Sequence, residues 1–296
     1  MLIFAIFSEL QIMKKLYYFI IPAVLLFASD HASAQTAKSL FYKADSLQVS
    51  EIVSETADLS AEVGHHGPAV ENSHMALAIC FNDSGAIDLY SKNGRGMELE
   101  TYFWYPSAED QETAAAGCDA YDFGTTLGFG GIALWDGEDE VRLVATKGRR
   151  ARVGDTRKGC FAEIISYGIP YQGDMVDVSV RIDVQDKNRE AEVTVTELSG
   201  RKILFVTGVC CRNGQKTVLG DGYVSVWGDH PGDEAVIPVG TGIRYSEKDF
   251  VTVENTDEMI RLISRPMAQV KTVLVGASVK EAELNNAKRF EAYMMK

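Results

Sequence analysis

Between residues 176 and 184 the β-branched side chains Val176, Val178, Val180, Ile182 and Val184 alternate with Asp177, Ser179, Arg181 and Asp183. Successive side chains of an extended chain point to opposite faces. This run is therefore a strand with one apolar and one wet face. The polar step Asp186-Lys187-Asn188 leads into a second alternation, Ala191, Val193 and Val195 between Glu192, Thr194 and Thr196. Together they predict an antiparallel hairpin packed on one side only.

Further strand candidates are 76–81, 86–90, 98–103, 131–135, 141–146, 161–167, 203–209, 223–227 and 270–276. Asn82-Asp83-Ser84-Gly85, Asn93-Gly94 and Asp136-Gly137 supply turns between several of them. With 26 Gly and only 7 Pro, the composition suits strands and tight turns. Helix signals are few. Ser278-Val279-Lys280-Glu281 has the form of a capping box. Val279, Ala282, Ala287, Phe290, Tyr293 and Met294 then share one face at about 100° per residue. A short helix is also expected within 107–116, stopped by Gly117. The expected fold is all-β: a large antiparallel β-sandwich with a C-terminal helix.

The N-terminal residues read as an address. Met13-Lys14-Lys15 opens a positive segment, an apolar run follows to Ala28, and Ala32-Ser33-Ala34 forms a small-residue cleavage site. We expect a signal peptide over 1–34, with 1–12 upstream of the true start. A single β-sandwich domain is expected over 35–296, placed in the periplasm or secreted, with no stable membrane insertion after cleavage. The five cysteines, Cys80, Cys118, Cys160, Cys210 and Cys211, match no disulfide framework or metal ribbon, and buried thiols are expected. A net charge of −13 argues against a nucleic-acid partner.

Chemistry-bearing residues gather at 64–75, where His65, His66, Glu71, Asn72 and His74 lie close in sequence. A histidine titrating near neutrality beside a carboxylate suits acid–base work on a sugar, with His65 or His66 as acid or base and Glu71 as partner. Two alternatives stand beside this one. The same groups could meet one Zn²⁺, although their spacing matches no standard motif, or they could simply hydrogen-bond loops over a sheet edge. If a strand starts near Val70, Glu71, Ser73 and Met75 share one face, with Asn72 and His74 on the other. Asn72, His74, Tyr90, Lys92, Arg95, Asp119 and Trp135 are the candidate substrate-binding residues. Lys92 or Arg95 would clamp a carboxylate. No cofactor and no metal are expected. The Gly-dense stretch 117–131 lacks the order of a phosphate loop, and Asp229 is the expected partner of His230.

Gly67–Asn72 (GPAVEN), Ala86–Lys92 (AIDLYSK), Leu127–Gly137 (LGFGGIALWDG) and Ala287–Tyr293 resemble a family of secreted bacterial proteins, domain of unknown function 4861. The resemblance implies an association with polysaccharide-utilisation loci that act on pectin-like and other uronate-bearing glycans. It also implies a fold like the galactose-mutarotase supersandwich. It carries over no catalytic residues. The expected partner is thus a uronate-containing oligosaccharide or polysaccharide. The protein would be a lyase, hydrolase or epimerase, or else a non-catalytic glycan-binding or accessory protein.

Overall fold

The computed structural model describes residues 36–296 except 57, 95, 103–105, 114–115, 213 and 231–235. The expected signal peptide and Arg95 lie outside the described residues. In chain order the first strands are β1 (Thr36–Ser39), β2 (Glu51–Ser54), β3 (Ala69–Asn72), β4 (Met75–Ile79), β5 (Ile87–Ser91), β6 (Phe129–Trp135), β7 (Glu140–Val141), β8 (Arg149–Asp155) and β9 (Gly159–Tyr171). They are followed by β10 (Asp174–Gln185), β11 (Glu190–Glu197), β12 (Phe205–Cys210), β13 (Lys216–Gly220), β14 (Tyr223–Gly228), β15 (Val239–Tyr245), β16 (Phe250–Asn255), β17 (Met259–Ser264) and β18 (Gln269–Ser278). Helices α1 (Ala108–Glu112) and α2 (Ala287–Met294) complete the described α-structure.

The alternating runs form the hairpin that their pattern predicts. Val180 lies opposite Val195 and Ile182 opposite Val193, with Lys187 at φ 62° in the turn. This hairpin is central to a nine-stranded sheet ordered β13-β14-β15-β18-β11-β10-β9-β8-β2. A four-stranded sheet, β1-β3-β4-β5, and a five-stranded one, β16-β17-β12-β6-β7, pack against it. Val180, Ile182, Val193 and Leu274 from the large sheet share one core with Val70 and Leu77 from the four-stranded sheet, and with Phe129, Ile132 and Phe205 from the five-stranded one. The result is an all-β antiparallel sandwich with a C-terminal helix.

Helix α2 lies on the other face of the large sheet. Phe290 and Met294 are buried there with Tyr223, Val275 and Ala277, each worth about 1.5–3 kcal/mol when fully covered. Gly242 makes the approach possible, since a Cβ there would sit 2.6 Å from Met294 Cε.

Three local expectations are corrected. The helix does not start at Ser278, which ends β18. Its Oγ donates to the Lys92 carbonyl and accepts the Lys280 amide, and the N-cap is Asn286, whose side chain accepts the Arg289 amide at 3.1 Å. Over 98–102 the strand expected at 98–103 is replaced by a turn in which the amides of Thr101 and Tyr102 donate to the Glu98 carbonyl. Beyond Val141, 142–146 is not strand. The short helix within 107–116 is present as α1, capped by Ser107.

Candidate functional site

Asn72 decides the local architecture. Its Oδ1 accepts the amides of His74 (2.8 Å) and Met75 (3.0 Å), so the chain reverses after four residues of β3. The expected continuous strand through Met75 is thus two antiparallel strands, and the face-sharing of Glu71, Ser73 and Met75 is lost. Asn72 Nδ2 donates to the Arg189 carbonyl at 3.0 Å, so this carboxamide is spent on the turn and its anchorage.

Period two sends Val70, Leu77, Ile79, Ile87 and Leu89 into the core, and Ala69, Glu71, Ala76, Ala78, Asp88 and Tyr90 to the opposite face. That face is also covered. Ala69, Ala76, Ala78, Tyr90 and Leu99 form their own buried cluster, because alanines leave room for the segment after Glu98 to settle on the sheet. Beneath it Glu71 and Lys92 form an ion pair from which water is wholly excluded. Glu71 also accepts the amides of Glu98 (2.5 Å) and Leu99 (2.9 Å), and Lys92 donates to the carbonyls of Asn72 (3.0 Å) and Gly96 (2.7 Å). Burial pushes the Glu71 carboxyl up and the Lys92 ammonium down, while each partner's charge opposes the shift of the other.

The expected pairing of Glu71 with His65 or His66 is not formed. Its partner is Lys92, and its carboxylate oxygens are occupied by fixed donors. Lys92 and Tyr90, expected to meet substrate, are both buried. Tyr90 donates to Glu98 Oε2 at 2.7 Å, and Glu98 also accepts the Gly117 amide at 2.9 Å. Burial and the Glu98 carboxylate both raise the phenol pKa. Lys92 therefore offers no surface charge to an acidic sugar. Glu98 went unrecognised in the sequence, although the outward alanines of β3 and β4 signal that something covers them.

His65 and His66 occupy a 3₁₀ turn, Gly64–His66, with φ of 53° and 58°. These are left-handed conformations that cost a side chain roughly 1–3 kcal/mol. Gly67 follows because a Cβ there would lie 1.9 Å from the Ile79 carbonyl oxygen. The turn buries His65, edge-on to Phe41, and exposes His66, whose Nδ1 lies 3.1 Å from the Ser60 carbonyl oxygen. Burial lowers His65 from 6.5 to about 4. His65, Asp88, Tyr90, Glu98 and Tyr102 border a cavity of about 20 Å³, room for little more than a water.

His74 joins a different group. Its Nδ1 lies 3.0 Å from Arg189 Nη2 and 3.3 Å from Glu281 Oε2. Burial alone would raise the Glu281 carboxyl, but the bonds and charges of His74 and Arg189 outweigh it and hold the pKa below the usual value. Asp119 is half-buried and donates its amide to Gln111 Oε1 at 3.0 Å. Trp135 belongs to the five-stranded sheet, where the Arg261 guanidinium lies 5.0 Å from its ring centroid. The proposed constellation is thus divided: Glu71 with Lys92, His65 with Tyr90, His74 with Arg189, and Trp135 elsewhere. Among the described residues no three His, Cys, Asp or Glu are grouped to hold a metal, so the His65, His66, His74 and Glu71 zinc arrangement is not assembled.

The roomier concavity lies between β1 and β8. It has about 530 Å³ and is lined by Thr36, Lys38, Gln48, Ser50, Glu100 and Asp155, among others. Lys38 pairs with Asp155 across it.

The sequence model of the domain of unknown function DUF4861 matches residues 28–296. The chain belongs to this family. Two of the stretches that carry the family resemblance, 67–72 and 86–92, are thus the ones that bring Glu71 and Lys92 together. No curated protein matches the chain. Among solved structures, a 4-α-glucanotransferase from Thermococcus litoralis is similar at 11% identity and a TM-score of 0.35, over 72% of this chain and 40% of that one. A GH36 α-galactosidase from Geobacillus stearothermophilus is similar at 11% identity and a TM-score of 0.24, over 76% and 41%. The chain spans about two fifths of the length of either enzyme. No described helix is long and apolar enough to cross a membrane.

Proposed function

We propose that this DUF4861 member is an exported carbohydrate-active protein that holds a uronate-containing oligosaccharide in the groove between β1 and β8. The observation that carries this reading is room. The groove offers about 530 Å³ and the cavity beside His65 about 20 Å³, whereas ligand clefts run to about 300–1,000 Å³. Its lining suits a polyol, with donors and acceptors side by side. Lys38 is the cation available to a carboxylate, provided that it exchanges its partner Asp155 for the ligand. With Glu71 buried and held by the Glu98 and Leu99 amides, the binding or accessory role is favoured over acid–base turnover.

One observation favours an enzyme. His65, Asp88, Tyr90 and Glu98 border a single cavity, and burial shifts both His65 and Tyr90 far from their ordinary values, as in many active sites. The deciding experiment is a panel of uronate-rich and neutral oligosaccharides, with binding read by calorimetry and products by chromatography. Binding without new reducing ends or unsaturated sugars, weakened about tenfold by Lys38→Ala, supports the groove. Turnover that survives Lys38→Ala and is abolished by Tyr90→Phe supports the enzyme. Failure to bind any glycan overturns both.

A further inference from the structure

Tyr121 Oη, Thr207 Oγ1, His230 Nε2 and Thr241 Oγ1 are buried side-chain atoms without a hydrogen-bond partner among the described residues. Leaving such atoms unpaired costs folding free energy, so their grouping calls for an explanation. They are not scattered. The Tyr121 and His230 rings lie 4.5 Å apart at 52°. The Thr241 hydroxyl on β15 and the Cys210 backbone on β12 face the phenol without reaching hydrogen-bond geometry. Thr207 follows the core residue Phe205 by two positions on β12 and so shares its face, and β12 packs against β15 of the opposing sheet.

The chemistry specifies what fits between them. His230 Nδ1 lies 3.2 Å from the Asp122 carbonyl oxygen, which only accepts, so Nδ1 carries the proton and Nε2 presents a lone pair. Burial lowers this imidazole to about 4, so it is neutral at physiological pH. Tyr121 can donate, and Thr241 can donate or accept. A molecule joining all three must both donate and accept, and must fit where the exposures are 3%, 2% and 0% for Tyr121, His230 and Thr241. An anion would face the His230 lone pair. A metal ion would find one imidazole among neutral hydroxyls, a poor donor set.

We propose that an ordered internal water, bonded to Tyr121 Oη, His230 Nε2 and Thr241 Oγ1, ties the Gly-rich 117–131 segment and the loop after β14 to the seam between the two packed sheets. The sequence marks both loops, His230 and the glycine-dense run, and the β1–β8 groove uses neither. Asp229 is not the partner of His230. The Asp229 carbonyl accepts from Gln215 at 2.7 Å, while the imidazole turns to Asp122.

The test is a crystal structure of the purified protein that resolves buried waters, with ¹⁵N spectra of the His230 ring. The expected result is density about 2.6–3.2 Å from at least two of the three atoms, and an Nε2 resonance displaced toward the hydrogen-bonded position. Thr241→Val should shorten the water's residence time, read by ¹⁷O relaxation, about tenfold, as loss of one hydrogen bond implies. No density at this place in a map that shows other internal waters overturns the proposal. So does a direct Tyr121–His230 hydrogen bond, or an Nε2 shift typical of an unbonded lone pair. If Thr241→Val does not fold, the first two measurements on the unsubstituted protein decide alone.

Discussion

Glu71 and Lys92 neutralise one another where water does not reach, and the environment tells more than the residue types do. A lysine two residues past Tyr90, next to Asn-Gly, has the sequence context of a solvated turn. Period two assigns it a face but cannot say whether that face is covered. Breaking such a pair leaves a buried charge and costs about 3–5 kcal/mol, whereas replacing both partners by apolar groups is often neutral. Glu71→Gln and Lys92→Met are each expected to lower the urea midpoint strongly, and Glu71→Gln with Lys92→Met to recover most of the loss. Additive losses in the double variant would show that the two do not act as a pair. Two buried histidines contribute to the pH dependence. Burial lowers His65 and His230 from 6.5 to about 4. An unfolded chain therefore binds protons between these values that the folded one refuses. Their stabilising contribution is complete above pH 6.5 and is lost as the pH falls toward 4, roughly 3 kcal/mol for each group. Urea midpoints across this window should fall less steeply in His65→Asn/His230→Asn, and an unchanged slope would refute the assignment.

Elements were legible where periodicity was long and illegible where short polar motifs had two uses. The β10–β11 hairpin stands as its alternation predicts. Ser278 and Glu281 have the spacing of a capping box, yet each is engaged by tertiary partners. Ser278 bonds the Lys92 carbonyl, and Glu281 accepts from Arg189 and the Leu284 amide. The helix begins at Asn286 instead. Asn286→Ala should therefore cost about 1 kcal/mol and speed hydrogen exchange over 287–294. Ser278→Ala should leave exchange in the helix unchanged and disturb the segment around Lys92. Similarly, Asn72 ends β3 by capturing two amides with its own side chain, a local choice that pattern counting along β3 cannot register. The outward alanines Ala69, Ala76 and Ala78 were a usable sign that another side chain, Leu99, packs over them.

Across the whole molecule the two smaller sheets pack against a nine-stranded one, and the core this creates is large enough to dispense with disulfides. All five cysteines are buried, and none is joined in a disulfide. Burial raises Cys80 to about 12, and Cys160 and Cys210 to about 11. A thiol reagent should find no reactive cysteine in the folded protein and five after unfolding, with a thermal midpoint indifferent to reductant. Early labelling of one thiol would place it outside the core. By itself the sequence determined the all-β class, the central hairpin and the expectation of buried thiols, because these follow from alternation and composition within continuous stretches. Only the tertiary structure decided that Glu71 meets Lys92 rather than a histidine, that Tyr90 rests on Glu98, and that the open concavity lies between β1 and β8. The physical reason is that pleat and spacing orient a side chain toward a face. What then covers that face comes from segments distant along the chain, and their arrival settles charge, solvation and access together.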